Sequence, residues 1–404
     1  MQEGLMPRVS EAELNRRLKA LRERVAASGA QAAVLTSSVS IFYFTNLSFI
    51  TTERPVVVIV PVDGEPFAVL PSVEMGHAEY RNSRWGGVVK RFEYYFDYPG
   101  EVHVANFIAD AIAGSGLRHV MGEPLGPKGA YGYSGPPLQE LLAKRGVKWT
   151  DMGDLVAEMR LIKSQEELSL IEESGRWASR AIDKAMELMA PGRWDWEVSL
   201  EASLEVSREM NSHYSPYVPL RGTVGWVVGF RGQVGEFSAY PHALVAERPM
   251  REGDVIGIGS GPEVGGYFAE LERTLVLGTP SREVREYFDK MLKVRQAAIE
   301  SLRPGARASD VDRAMRAKAR ELGVEGLLRH HSGHGLGLEE HEPPFLDVGN
   351  GQELRPGMVV TIEPGLYVPG LGGFRHSDTF VITEDGARRL TSYPEDIDEL
   401  TVRR

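Results

Sequence analysis

The chain has 404 residues, 42 % of them hydrophobic, enough to bury a large core and to form two domains more readily than one. Lys plus Arg total 46 against 57 Asp plus Glu, a formal charge of −11 without a basic block, which argues against nucleic acid as a partner. There is no cysteine, so disulfides and a cysteine nucleophile are excluded, and any metal must be held by His, Asp or Glu.

In chain order, Ser10-Glu11-Ala12-Glu13 reads as a capping box opening a helix whose Leu14, Leu18, Leu21 and Val25 share one face before Gly29 stops it. Strands are predicted at 32–35, 41–45, 55–61 and 66–70, then helices around 102–113 and 137–145 with a short strand near 119–121, the pattern of a compact α/β domain. The apolar run 55–62 is far shorter than the roughly 20 residues of a bilayer span, and 1–11 lacks the apolar core of a signal peptide. The expectation is a cytoplasmic protein that does not enter membranes.

Near residue 160 the character changes. Ser164-Gln165-Glu166-Glu167 is a second capping box, and the helix it opens runs toward Pro191-Gly192. The boundary is set there, giving domains 1–160 and 161–404. Beyond it come a helix over 194–211, extended segments at 214–230 and 254–278, helices at 281–302 and 309–322, and strands at 357–368 and 374–383, an α+β domain with a largely antiparallel sheet. Pro191-Gly192 and Pro304-Gly305 each stop one helix before another, a weak echo of two related halves.

The chemistry concentrates late in the chain. Six of the ten histidines fall between His242 and His376, and His330 to Pro344 combines four imidazoles with three glycines. Glycine lets backbone approach a ligand closely, and imidazole supplies a proton shuttle or a metal ligand; the plainer reading is a solvated loop. In the predicted strand 266–276, period-two alternation places Phe268, Glu270, Glu272 and Thr274 on one face, the carboxylates about 7 Å apart at their Cα atoms. Gly257 and Gly259 share a face of the preceding strand and leave space opposite them. Glu363 stands where an apolar strand meets Pro364-Gly365, a common place for active-site groups. His242 in Tyr240-Pro241-His242-Ala243 is suggestive only in company.

Seven segments in register, Arg160-Leu161-Ile162-Lys163-Ser164, Pro241-His242, Gly253-Asp254, Gly266-Tyr267, Gly333-His334, His341-Glu342-Pro343 and Ile362-Glu363-Pro364-Gly365, resemble the pita-bread hydrolases that include Xaa-Pro aminopeptidases, prolidases and creatinase. The resemblance implies a pita-bread catalytic domain behind an α/β N-terminal domain. In the metal-dependent peptidases of the family two divalent ions are held by two Asp, one His and two Glu. By that resemblance Gly259 and Ser377 replace two ligands, Glu270 replaces an Asp, and His334 and Glu363 are kept. A dinuclear site is therefore not expected, and the fallback is one divalent ion (Mn, Co or Zn) on Glu270, His334 and Glu363.

Glu272 stands where creatinase, the member that works without metal, also has Glu. The leading expectation is thus metal-independent hydrolysis of a C–N bond in a small molecule or dipeptide. His242 is assigned as general base and acid, Glu272 and Glu363 with Glu270 as the grip on the substrate nitrogen, and His334 and His341 as donors to the oxyanion. Phe268, Arg54 and Arg375 are further substrate-binding candidates, Arg54 reaching the site through the homodimer that the resemblance implies. The rivals are a metal-assisted Xaa-Pro dipeptidase or aminopeptidase and a family member that binds without turnover.

Overall fold

The computed structural model describes residues 6–50, 52–96, 101–125, 135–222 and 225–403; parts of the segments 1–11 and 214–230 discussed above lie outside them. The chain divides into two compact units, one of Val9–Met159 with Leu220–Gly222, the other of Met1–Arg8, Arg160–Pro219 and Thr223–Arg404.

In the first unit, helix α1 (Glu11–Ala27) is capped by Ser10, whose side chain accepts from the Glu13 amide, and it buries Leu14, Leu18, Leu21 and Val25. Strands β1 (Ala32–Leu35), β2 (Val57–Pro61), β3 (Phe67–Pro71), β4 (Arg91–Tyr95), β5 (His119–Gly122) and β6 (Lys148–Asp151) form a mixed sheet in the order β4-β3-β2-β1-β5-β6. Its core joins Val34, Ile59 and Val69 of the strands to Ile108 and Ile112 of a helix at Ala105–Gly114. The predicted strand at 41–45 is instead a helix, α2 (Ser38–Thr45), ended by Asn46 in the left-handed conformation at φ 57°. Every residue from Val39 to Thr45 is buried, and an apolar run buried on all sides has no period by which helix and strand could be told apart.

In the second unit, α3 (Gln165–Leu188) begins with the full reciprocal box between Ser164 and Glu167, and α4 (Asp195–Tyr214), α5 (Arg282–Glu300) and α6 (Ala308–Glu321) match the remaining predicted helices closely. Strands β7 (Val228–Gly229), β8 (Val255–Ser260), β9 (Leu271–Leu277), β10 (His334–Gly335), β11 (Glu342–Phe345), β12 (Val359–Ile362), β13 (Gly365–Val368), β14 (Gly372–Arg375), β15 (Asp378–Ile382), β16 (Ala387–Arg389) and β17 (Thr401–Val402) follow. They form the sheets β17-β9-β8-β7 and β11-β10-β12-β15-β16 and the hairpin β13-β14. All pairings are antiparallel except β17 on β9.

The predicted strand over 266–276 forms only from Leu271. Before it, the amides of Ala269 and Glu270 donate to the hydroxyls of Ser174 (2.8 Å) and Thr379 (2.9 Å), so side chains take the bonds a strand neighbour would supply. The two sheets meet where Glu272 and Ser377 exchange two backbone hydrogen bonds of 3.0 Å each. Behind that seam Arg273 and Asp378, both fully buried, pair at 3.1 Å, and Arg295 binds the same carboxylate. Alternation therefore sends Arg273 into the core and leaves Glu272 on the opposite face. Among the described residues no helix is long and apolar enough to cross a membrane.

Candidate active site

A cavity of about 550 Å³ opens over this seam, lined by Glu270, Glu272, Glu363, Arg375, Arg231, Phe268 and, among the histidines, His242, His330, His331 and His341. His334 lies behind the lining, buried, with Nε2 3.1 Å from Glu363 and 3.7 Å from Glu270. Of the residues predicted from the sequence, the fold thus gathers His242, Glu272, Glu363, His341, His334, Phe268, Glu270 and Arg375 in one place. Arg54 belongs to the first unit, where its guanidinium pairs with Glu53 at 2.6 Å.

The local reasons are specific. Gly259 faces Glu272 across the β8–β9 ladder and Gly257 faces Thr274. Neither glycine leaves open space: a Cβ at Gly259 would fall 3.1 Å from Glu272 Oε1, so the Glu272 side chain lies directly over it, and one at Gly257 2.4 Å from Gln233 Oε1, because the Gln233 side chain already fills that position. Its amide in turn donates to the Pro241 carbonyl at 2.7 Å, anchoring the loop that carries His242, itself exposed at the cavity wall. The glycines of the histidine-rich segment serve packing rather than ligand approach. A Cβ at Gly333 would lie 2.1 Å from the Thr361 carbonyl, and one at Gly335 2.3 Å from the Pro343 carbonyl. The neighbouring Glu342 is buried and held by Lys163 at 2.7 Å and by Arg160, which ties together two of the sequence segments that carried the family resemblance.

The three carboxylates place oxygens within 4.8 Å of one another, and each has a partner. Arg375 grips Glu272 with two contacts of 2.6 Å, Nη2 to Oε1 and Nε to Oε2, and Arg231 adds a third at 3.2 Å. Ser377 Oγ donates to Glu270 at 2.6 Å. Burial and the charges of Glu363 and Glu272 push Glu270 up to about 8. Burial would raise Glu363 as well, but the His334 imidazolium and Arg375 hold it well below the ordinary carboxylate range. His334 is correspondingly lifted, burial being outweighed by Glu363 and Glu270.

Two of the remaining imidazoles have assignable protons. His330 Nδ1 faces the His331 carbonyl at 2.8 Å and so carries a proton; its Nε2 then accepts from Tyr367 Oη at 2.8 Å, and burial keeps the ring neutral. His331 Nδ1 accepts from the Gly333 amide at 3.2 Å, which leaves its proton on Nε2. Arg231 and Tyr367 were not singled out in the sequence, and His330 and His331 entered it only as members of the histidine-rich segment, with no role assigned. Arg231 lies in a short Gly-Phe-Arg-Gly turn and Tyr367 follows a Pro-Gly turn, signals for a turn but not for its direction.

Among the described residues, two groups of side chains bring metal-ligand atoms within 4.8 Å: Glu270 with His334 and His341, and Glu270 with Glu272 and Glu363. Neither fits an ion well. The His334 and His341 rings stack, centroids 3.7 Å apart and planes 20° apart. Imidazole lone pairs lie in the ring plane and bond a metal at roughly 2.0–2.1 Å, so two near-parallel rings at that separation do not converge on one ion. In the second group Glu272 Oε1 already accepts from Arg375 Nη2, and Arg375 Nε lies 2.6 Å from Oε2, although Oε2 itself makes no hydrogen bond. A pair of ions fits less still, since Gly259 brings no donor and the Ser377 hydroxyl is committed to Glu270.

The chain matches the profile of metallopeptidase family M24 over residues 169–384 and that of the creatinase/prolidase N-terminal domain over residues 17–162. It belongs to metallopeptidase family M24, with the pita-bread catalytic domain behind a creatinase/prolidase-type N-terminal domain, and is by family a hydrolase acting on C–N bonds. An Xaa-Pro dipeptidase of Pyrococcus furiosus is 34% identical over 270 residues, 67% of this chain and 74% of the relative. A probable dipeptidase PepE of Mycobacterium tuberculosis is 28% identical over 391 residues, 95% of each chain. Among solved structures, dipeptidase PepE from Mycobacterium ulcerans superposes with a TM-score of 0.78 at 26% identity, covering 98% of this chain and 100% of that one.

Proposed function

We propose that this protein hydrolyses the C–N bond of a small dipeptide-like substrate with its own acids, bases and guanidinium groups in place of a metal pair. The observation that carries the reading is the Arg375–Glu272 grip beside Gly259 and Ser377: where the resemblance calls for cations held by carboxylates, this chain supplies fixed cations of its own. The names of its relatives, Xaa-Pro dipeptidase and probable dipeptidase, support a substrate of dipeptide size.

In this reading His242 takes a proton from the attacking water and returns it to the departing nitrogen, a role worth about 10²–10⁴ in rate. His331, with its proton on Nε2, and His341 donate to the developing oxyanion. Glu363 and Glu270 hold the nitrogen end, while Glu272, its charge matched by Arg375, acts chiefly by fixing that guanidinium. His334 spends Nδ1 on the Gly335 carbonyl at 3.0 Å, and its Nε2 faces Glu363 at 3.1 Å as an ion pair without hydrogen-bond geometry, so in this reading it orients Glu363 rather than touching the oxyanion. The protein is placed in the cytoplasm as a homodimer, Arg54 helping to select the substrate; a monomer in sedimentation at micromolar concentration counts against the pairing.

The test is enzyme stripped by chelation, checked by elemental analysis and assayed on a panel of dipeptides that includes Xaa-Pro sequences. Full activity without metal is expected. Strict dependence on added manganese, cobalt or zinc instead establishes the second reading, a metal-assisted Xaa-Pro dipeptidase, which the family relation and the nearness of Glu270, His334 and His341 favour.

A further inference from the structure

We infer that Arg231 is a specificity-determining residue that binds a carboxylate of the substrate at the cavity wall, so that small acids with a free C-terminal carboxylate are preferred over their amides. The inference rests on the hydrolytic reading above but assigns a role to a residue which that reading leaves unused.

Arg231 is a surplus cation. Arg375 already meets both oxygens of Glu272 at 2.6 Å, whereas Arg231 reaches that carboxylate through Nη2 alone, at 3.2 Å. Its remaining N–H groups meet no acceptor among the described residues, and its side chain is 53% exposed where it lines the cavity with His242, His331 and His341. A guanidinium with a free fork edge matches a planar carboxylate better than any other side chain does.

Its position is also built. The Arg231 backbone is left-handed at φ 47°, a conformation that a non-glycine residue holds only where its surroundings impose it. They do so here. The next amide, Gly232, donates to the buried carboxylate of Asp195 at 3.1 Å, and a Cβ at Gly232 would lie 2.6–2.8 Å from the Val245 backbone. Gln233 then bridges to Pro241 at 2.7 Å, so the turn bearing Arg231 and the loop bearing His242 are braced against each other. Strain of this kind persists where it places a functional group.

The experiment compares glycyl-L-proline with glycyl-L-prolinamide on the wild type, Arg231→Lys and Arg231→Gln, with circular dichroism as the folding control. The wild type should favour the free acid. Arg231→Gln should lower kcat/KM on the acid by roughly 10–100-fold, the scale of a charge-assisted hydrogen bond, while the amide changes by less than about 3-fold; Arg231→Lys should fall between. Equal losses on both compounds, or no preference in the wild type, overturn the inference. Should the wild type cleave neither compound, the dipeptide reading fails, and Arg231 is judged by the melting shift each compound produces at millimolar concentration. A shift by the acid that Arg231→Gln abolishes upholds its role; an equal shift in the variant, or none in the wild type, refutes it.

Discussion

The grip of Arg375 on Glu272 makes the most direct claim about how this site is built, and a double-mutant cycle measures it. The two side chains are 10% and 11% exposed, so neither charge is screened as a surface pair would be. Breaking a buried pair by removing one partner typically costs about 3–5 kcal/mol, because the other charge is stranded. In Arg375→Met the stranded carboxylate still has Arg231 at 3.2 Å, which places the expected loss toward the lower end, about 3 kcal/mol. In Glu272→Gln the guanidinium keeps its contact to Tyr367 Oη at 3.3 Å and has only a neutral amide in place of the carboxylate, and a loss of similar size is expected. The double variant strands neither member of the pair, although Glu363 still loses the Arg375 charge, and should cost clearly less than the two losses together, a coupling of roughly 2–3 kcal/mol. Calorimetry reads each single loss as a lowering of the catalytic-unit transition by about 2–4 °C per kcal/mol. A coupling below about 0.5 kcal/mol would refute the reasoning, since Glu272 would then be a solvated carboxylate open to a metal or a substrate amine.

Gly333→Ala should prevent correct folding of the second unit, because the added Cβ meets the Thr361 carbonyl at 2.1 Å and backbone cannot give way cheaply; soluble yield and thermal melting check it. Gly259→Asp sets a second carboxylate opposite Glu272, whose Oε1 would be 3.1 Å from the new Cβ, and should cost about 1–3 kcal/mol without creating a bound metal in elemental analysis. Glu342 is buried, and although desolvation alone would raise it, Lys163 and Arg160 hold it below its ordinary value of 4.5. A lowered carboxylate contributes stability that is fully present above its ordinary value and is lost as pH falls through the lowered one. Wild type should therefore exceed Glu342→Gln in urea stability at pH 7, with the gap closing below about pH 4; a gap independent of pH would contradict the ion-pair account.

Much of the fold was legible along the chain, because its helices carry their stop and start signals locally. The capping signals at Ser10 and Ser164 and the apolar faces they open are properties of a few consecutive residues, and both helices form as read, although of the two only Ser164 shows the full box, the Glu13 carboxylate pairing instead with Arg16 and Arg17. The gathering of the site residues was legible only through the family resemblance, since His242, Glu272, His334, Glu363 and Arg375 come from separate strands and loops. Tertiary structure alone decided the rest. It made 41–45 a helix where an apolar run had no period, and it delayed the start of the strand to Leu271 because hydroxyls of Ser174 and Thr379 captured the preceding amides. It also set the charge state of the cavity. From sequence, Glu272 read as a carboxylate waiting for a substrate nitrogen; in the fold it is held by Arg375, a residue 103 positions later, because one backbone ladder at Ser377 brings the two strands together. Pairing of charges depends on distances of a few ångströms, and those distances belong to the packed chain, not to the order of its residues.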